Sequence, residues 1–185
     1  MRSALVVVLA AAATLGAVEI PRKAPELVIQ VPGRPQILLS QYRGYICAVA
    51  FMSTTCPHCQ HLATVLGPIQ REYAPKGVQV LGVVFNPEAN LELPIFSRTF
   101  AHDLFPIGMS TDAVVGEFLQ HPPGIKYIPM MAFIDKHGVI RAEHLGIDEE
   151  KAHFFTELTE VQNIKAELDK IIKEPTLPNN ALPKK

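Results

Sequence analysis

The chain has 185 residues, a length that predicts one folded domain with additional terminal segments. Hydrophobic residues make up 48% and charged residues 19%, a balance that favours a folded core over disorder. The formal net charge is -1, from 17 Lys and Arg against 18 Asp and Glu. Because no basic excess is available to hold a phosphate backbone, we expect no nucleic-acid partner.

The first residues have the pattern of an export signal. Arg2 and the free amine give a positive start, and the uncharged run 3–18 is shorter than the roughly 20 residues that span a bilayer as a helix. We predict a secretory signal peptide over residues 1–17, cleaved after Ala17, with an uncleaved N-terminal anchor or a buried helix as alternatives. Export would place the chain outside the cytoplasm, in the periplasm or secreted, where cysteines can pair.

The following part of the chain alternates strand and helix patterns. Continuous apolar runs predict strands buried on both faces, and apolar residues at helical spacing predict helices. The predicted elements are a short run at 27–31, a strand at 46–52, a helix that starts near Pro57 and extends to Tyr73, a strand at 78–85, and an extended segment at 106–109.

Further elements follow in the second half. Asn90 is predicted to cap a helix that buries Ile95, Phe96 and Phe100, and a short helix around residues 114–119 ends at Pro122–Pro123. Strands at 130–135 and 139–144 flank a turn and form a hairpin. Asp148 is predicted to cap the last helix, whose buried stripe is Phe154, Leu158, Val161, Ile164, Leu168 and Ile171.

One domain accounts for these elements. No internal repeat and no second core is evident in the sequence, so residues 22–174 are predicted to form a single domain. Pro175 ends the last helix, and the Pro-, Asn- and Lys-rich tail at 175–185 is predicted to be disordered.

Cys56-Pro57-His58-Cys59 lies at the predicted junction between the strand 46–52 and the following helix. A helix N-terminus carries unpaired backbone N–H groups and a partial positive charge, which favour a thiolate at Cys56. Cys59 lies one turn further in, where it would resolve a mixed disulfide formed at Cys56. His58 adds positive charge when it is protonated, and Pro57 makes the turn rigid. The pattern therefore predicts thiol–disulfide chemistry.

Two other uses of the cysteine pair are compatible with the same spacing, a structural disulfide and a zinc site. A structural disulfide would be chemically inert. A zinc site would need further ligands, and a set made of Cys56, Cys59 and His58 or His61 is conceivable.

The run from Ile37 to His61 resembles the start of thioredoxin-fold proteins of the TlpA/ResA type, which are extracytoplasmic thiol–disulfide oxidoreductases. Tyr127-Ile128-Pro129 and the hairpin that follows are similar to the cis-proline loop and hairpin of that family. The resemblance implies an α/β thioredoxin-like fold, a central mixed sheet with helices on both faces. It also implies that Pro129 is cis and faces a redox-active Cys56–Cys59 disulfide, which serves in place of any cofactor.

The resemblance also implies the partners. These are cysteine-containing protein substrates and a membrane redox partner that recycles the disulfide. The chain itself is expected to be a monomer.

The sequence departs from this family at several positions near the cysteines. Thr55 stands where thioredoxins have Trp, and Ala50 stands where they have a buried Asp. Leu62 occupies the position of the Glu of the ResA-like proteins. His58, His61 or water is therefore the expected proton acceptor. The CPHC motif is similar to that of the periplasmic oxidase that introduces disulfides, which suggests a more oxidising pair than thioredoxin.

Two alternative functions share the fold. A peroxiredoxin-like thiol peroxidase would carry Pro and Thr where this chain has Val49 and Ser53. A copper-binding chaperone of thioredoxin-like fold would use Cys56, Cys59 and a His, although no Met- or His-rich tract accompanies them.

The third cysteine and the remaining histidines are predicted to have no part in the chemistry. Cys47 lies in the strand 46–52, where it is expected to act as a small buried hydrophobe and not as a third redox thiol. Five further histidines are predicted to lie on the surface: His102, His121, His137, His144 and His153.

Overall fold

The structure, a computed structural model, describes residues 19–120, 127–146 and 152–174. The predicted signal peptide and the predicted C-terminal tail lie outside these residues, as do Pro122–Pro123 and Asp148. Among the residues described, no helix combines the length and the apolar character needed to cross a membrane.

A six-stranded mixed sheet forms the centre of the fold. Its strands stand in the order β1-β8-β7-β4-β5-β6, with β4, β5 and β6 parallel to one another and β7 antiparallel to both β4 and β8. A separate two-stranded hairpin consists of β2 and β3. The strands are β1 (Arg22–Lys23), β2 (Val28–Ile29), β3 (Ile37–Leu38), β4 (Ile46–Met52), β5 (Val78–Val84), β6 (Ile107–Met109), β7 (Met130–Ile134) and β8 (Val139–His144).

The central strand β4 is buried along its whole length. All seven of its side chains are buried, as expected for an apolar run flanked by strands and covered on both faces. Its side chains alternate between two cores, with Ala48, Ala50 and Met52 on one face and Cys47, Val49 and Phe51 on the other.

Helices cover both faces of the sheet. The face that carries Ala50 packs against α1 (Pro57–Tyr73), α2 (Ala89–Phe96) and α4 (Glu160–Lys173), and the opposite face packs against α3 (Asp112–Leu119). The predicted mixed sheet with helices on both faces is confirmed. The pairing of β4 with β7 confirms the prediction that these two apolar runs are neighbouring strands.

The predicted helix start at Asn90 is wrong. Helix α2 begins at Ala89, after Glu88, so that Asn90 lies inside it. Phe96 is buried and Phe100 is half-buried as expected, but Ile95 is 69% exposed. Helix α2 contains only eight residues and is followed by a π-helical turn at Ser97–Ala101, which has more residues per turn than an α-helix. The buried positions of the two segments therefore do not follow one helical period, which is what the prediction assumed.

The last helix also begins later than the apolar stripe predicts. Helix α4 starts at Glu160, and Phe154 lies in a separate short 3-10 turn. The carbonyl of Thr156 accepts hydrogen bonds from the N–H groups of Thr159 and Glu160, which makes a turn between the two helical segments. As a result Leu158 is 91% exposed, whereas Ile164, Leu168 and Ile171 are buried as predicted.

A buried ion pair connects the N-terminal strand to the α3 side of the sheet. Arg22 donates to the carbonyl of Phe118 at 2.8 Å and contacts the carboxylate of Glu143, whose side chain is 3% exposed. Burial raises the pKa of the Glu143 carboxyl to about 7, although the Arg22 guanidinium opposes the shift.

Glu143 should make stability depend on pH. Between its unfolded pKa near 4.3 and its folded pKa of about 7, the native state binds more protons than the unfolded chain. Its contribution to the free energy of unfolding therefore falls as pH rises through this range. In urea unfolding, the stability of the wild type relative to Glu143→Gln should fall by on the order of 1 to 2 kcal/mol between pH 5.5 and 7.5.

The control for this measurement is Glu117→Gln, which removes an exposed carboxylate of α3. A constant difference between the wild type and Glu143→Gln across this pH range would contradict the prediction.

Candidate redox site

Cys56 lies at the N-terminus of α1, directly after the turn that ends β4. It is the N-cap residue, and its carbonyl accepts the first helical hydrogen bond from the N–H of Gln60 at 3.0 Å. Pro57 occupies the first helical position, where its missing N–H would have no helical partner in any case. The thiol of Cys56 is half-buried, so solvent and a reaction partner can both reach it.

Cys59 lies one turn further along the helix and is fully buried. The backbone N–H of Ser53 donates to its Sγ at 3.4 Å. Burial raises the pKa of the Cys59 thiol far above its usual range, and the neighbouring Cys56 raises it further, while the Ser53 N–H acts in the opposite direction. Cys59 is therefore a thiol at neutral pH, and both cysteines are free in this structure.

Thr54 anchors the turn that precedes Cys56. Its N–H donates to Oδ1 of Asn86 at 3.0 Å, and its carbonyl accepts from Nε2 of Gln60 at 2.9 Å. Its hydroxyl donates to the carboxylate of Glu92 and accepts from Nδ2 of Asn86 at 2.8 Å. Through these hydrogen bonds Thr54 connects the turn to α1, to α2 and to Asn86, which follows β5. They fix the position of the adjacent Ser53, whose N–H contacts Cys59.

Loss of the Thr54 hydroxyl should loosen this turn. Thr54→Val keeps the side-chain volume and the backbone bond to Asn86, but it removes the hydroxyl that accepts from Nδ2 of Asn86 and donates to Glu92, so we expect a loss of about 1 to 2 kcal/mol in the free energy of unfolding. Alkylation of Cys59 in the native protein should also become faster, because its backbone contact is held less firmly.

Thr64→Val is the matched control, since the hydroxyl of Thr64 bonds only within its own helix, to the carbonyl of His61. Equal stability and equal alkylation rates in the two variants would show that Thr54 does not anchor the turn.

Pro129 stands at the same end of the sheet as the cysteines. The Ile128–Pro129 bond is cis, as the family resemblance implies, and Pro129 is buried. Met130 pairs with Phe51 of β4, so Pro129 lies one residue beyond the last pair, at the edge where β4 turns towards Cys56. Tyr127, just before this loop, is 56% exposed.

The two histidines of α1 have different surroundings. His58 is exposed at the second helical position, whereas Nε2 of His61 lies 2.7 Å from Oε1 of Glu160, a carboxylate buried at the start of α4. Sequence reasoning missed Glu160, because a Glu in the first turn of a helix is normally a solvated residue that complements the helix dipole. Ala50 and Leu62 are both fully buried and supply no acid or base.

Cys47 is remote from this chemistry. It points to the opposite face of β4 from Cys59, and it is buried. Burial raises the pKa of the Cys47 thiol to about 12, while nearby Arg43 opposes this shift. These surroundings are those of an inert, packed thiol.

The structure also describes the residues on which the peroxidase and metal-binding alternatives depend. Val49 is fully buried in β4, and the hydroxyl of Ser53 lies 3.0 Å from that of Thr55, within the turn. Among residues 19–120, 127–146 and 152–174, no group of three or more His, Cys, Asp or Glu side chains is arranged to hold a metal ion.

Comparison with solved structures identifies the fold. A thioredoxin-family thiol:disulfide interchange protein from Chlorobium tepidum TLS is 18% identical, with a TM-score of 0.65 over 84% of this chain and 99% of that one. The thioredoxin domain of a thiol-disulfide oxidoreductase from Bacteroides vulgatus is 15% identical, with a TM-score of 0.63 over 85% of this chain and 100% of that one. The fold is thioredoxin-like. No protein-family model and no curated protein sequence matches the chain.

The thioredoxin-like fold confirms the fold expected from the sequence resemblance. In this fold the sheet edge that carries the CPHC motif and Pro129 is the candidate site.

Proposed function

We propose that this chain is an exported thiol–disulfide oxidoreductase that exchanges a Cys56–Cys59 disulfide with the cysteines of protein substrates. The observation that carries the proposal is the unequal setting of two thiols one helical turn apart. Cys56 is accessible at a helix N-terminus, and Cys59 is fully buried behind it. The descriptions of the two structural neighbours, as a thiol:disulfide interchange protein and a thiol-disulfide oxidoreductase, agree with this proposal.

The exchange begins at Cys56. A substrate thiolate attacks Sγ of Cys56 in the oxidised pair, and the Cys56–Cys59 bond breaks. Cys59 leaves with the bonding electrons and takes up a proton, in keeping with its raised pKa. A second substrate thiolate then attacks the substrate sulfur of the mixed disulfide and releases Cys56 as a thiolate at the helix N-terminus. Two electrons pass to the chain, and the reverse sequence reduces a substrate disulfide.

The loop around Pro129 supplies a place for the substrate. Proline has no N–H, so Pro129 makes no ladder hydrogen bond as a donor at the end of β7. The main-chain groups of Ile128 would then be available to an extended substrate segment that carries the reacting cysteine. The exposed ring of Tyr127 lies directly beside this position in the chain.

The proposed reaction uses the Cys56–Cys59 disulfide and needs no cofactor. The chain works as a monomer outside the cytoplasm, released or held by its N-terminal segment, and a membrane redox partner returns it to its starting state. The signal-like residues 1–17 support this location. The burial of Val49 and the hydrogen-bonded Ser53 give no support to peroxidase chemistry.

The assignment of Cys56 as the attacking residue can be tested by trapping. Cys59→Ser removes the resolving thiol, so mixed disulfides with substrate proteins or with glutathione should accumulate on Cys56. Cys56→Ser should accumulate about tenfold fewer, because Cys59 is buried and protonated. Non-reducing gels and peptide mass spectrometry give the yield and the site.

Cys47→Ser controls for the loss of a thiol and should trap no more than the wild type. Equal trapping through Cys59 in the Cys56→Ser variant would reverse the assignment.

The redox potential tests the direction of electron flow. The helix N-terminus stabilises the reduced form with its Cys56 thiolate, and His58 adds to this whenever it carries a proton, so we expect a potential above the roughly -270 mV of thioredoxin. His58→Ser should lower it by about 30 mV, measured by equilibration with glutathione.

His137→Ser is the matched control, because His137 is exposed in the turn between β7 and β8 at the opposite end of the sheet. A wild-type potential at or below that of thioredoxin would make a reductant the better assignment.

A further inference from the structure

A cleft of about 780 Å³ lies beside β6, the last strand at one edge of the sheet. The loop between β2 and β3 borders it, together with α2, the π-helical turn that follows α2, and residues 104–107. Its volume is in the range of clefts that bind ligands. None of the residues proposed to act in disulfide exchange lines this cleft, so that reaction gives it no role.

Ile107 of β6 directs its main-chain N–H and C=O towards the cleft. In the parallel pairing of β5 with β6, Gly82 stands opposite Ile107, and the N–H of Gly82 donates to the carbonyl of Pro106 at 2.9 Å. Because successive residues of a strand turn their main-chain groups to opposite sides, Pro106 and Gly108 face β5 and Ile107 faces away from it. Within the part of the chain that the structure describes, no main-chain hydrogen bond reaches Ile107 from that side.

The segment that follows β2 covers only the neighbouring position of this edge. Gln30 and Met109 exchange two main-chain hydrogen bonds, at 2.8 and 2.7 Å. If this antiparallel pairing continued, Pro32 would stand opposite Ile107, but proline has no N–H to donate. The chain also turns away here, at Gly33, whose φ is 69°. The edge therefore stays unpaired at Ile107, although proteins usually cover or interrupt such edges.

The walls of the cleft are rigid. Four of the residues that line it are prolines: Pro32, Pro35, Pro94 and Pro106. Each of them has a fixed φ and lacks an N–H. A cleft with such walls is largely formed before a ligand arrives, and this lowers the entropy cost of binding.

Positive charge exceeds negative charge in the cleft. Arg34 from the β2–β3 loop and Arg98 from the π-helical turn line it, and neither guanidinium has an ion pair or hydrogen bond with another described residue. The one carboxylate among the lining residues is Asp103, which accepts from the hydroxyl of Ser97 at 2.7 Å. The two arginines favour an anionic ligand, and the main-chain groups of Ile107 favour an extended backbone.

We propose that this cleft binds an extended, acidic segment of a partner protein, which pairs with Ile107 as an added strand and brings carboxylates to Arg34 and Arg98. In such strand addition the main-chain hydrogen bonds hold the backbone, and side chains at alternate positions give the selectivity. The proposal goes beyond disulfide exchange, because β5 separates β6 from β4 and no cysteine lines the cleft.

The binding test uses a cysteine-free hexapeptide of alternating glutamate and valine with blocked ends, titrated into the full chain by calorimetry. Two control peptides have the same length. One carries lysine in place of glutamate, and the other is N-methylated at every backbone amide, so that it cannot donate to a strand. Each control peptide should bind about tenfold more weakly. Equal binding of either control peptide, or no binding of the acidic peptide at about 1 mM, would overturn the proposal.

Substitutions locate the peptide on the chain. Arg34→Gln and Arg98→Gln should each weaken binding about threefold, as expected for an exposed ion pair. Arg71→Gln is the matched control, because Arg71 is an exposed arginine of α1 that does not line the cleft. An equal loss in Arg71→Gln would contradict the assignment. Cys56→Ser should bind as tightly as the wild type, and weaker binding by this variant would place the peptide at the redox site instead.

A second measurement tests the strand pairing in the wild type. With saturating acidic peptide, exchange of the Ile107 amide hydrogen should slow about tenfold, while that of Gly108, which faces β5, should not change. Unchanged exchange at Ile107 despite binding would overturn the proposal. So would slow exchange at Ile107 in the peptide-free chain that is lost on dilution, because a second copy of the chain would then occupy the edge.

Discussion

The position of the cysteine pair depends on the burial of β4. This strand lies between β5 and β7 with both faces covered, so it cannot shift without exposing apolar side chains on one side of the sheet or the other. The chain leaves the sheet at Met52 and enters α1 five residues later, at Pro57, which places Cys56 at the helix N-terminus beyond the end of β4. Helix α1 then packs back onto the same core through Leu62, Leu66 and Ile69, which buries Cys59.

The parts of the site that follow from local pattern could be predicted from the sequence. An apolar run of seven residues, a Pro just inside a helix, and two cysteines three positions apart are all short-range signals, and each element appears at the expected place. Pro129 needed the family resemblance, because an X-Pro bond alone is rarely cis. Its position opposite the end of β4 follows from the pairing of β4 with β7, which no local pattern specifies.

The interactions that support the site could not be predicted in the same way. Thr54 is bonded to Asn86 and Glu92, 32 and 38 residues away, and His61 meets Glu160 across two helices. Such partners depend on the tertiary packing of α2 and α4 and leave no periodic signal. The sequence pattern also predicted burial for two apolar residues that are exposed, Ile95 and Leu158. At Ile95 the helical spacing is interrupted by the π-helical turn that follows, and at Leu158 by the break between the 3-10 turn and α4.

In the proposed exchange the two cysteines have different roles, and the surrounding residues act on each of them separately. Burial keeps Cys59 protonated, and the Ser53 N–H, held in place by Thr54, opposes this shift and would stabilise Cys59 when it leaves as a thiolate. Cys56 is accessible and lies in the field of the helix N-terminus, so its thiolate responds to charge on α1. Substitutions at Thr54 would then change chiefly the resolution step, whereas substitutions at His58 would change the redox equilibrium.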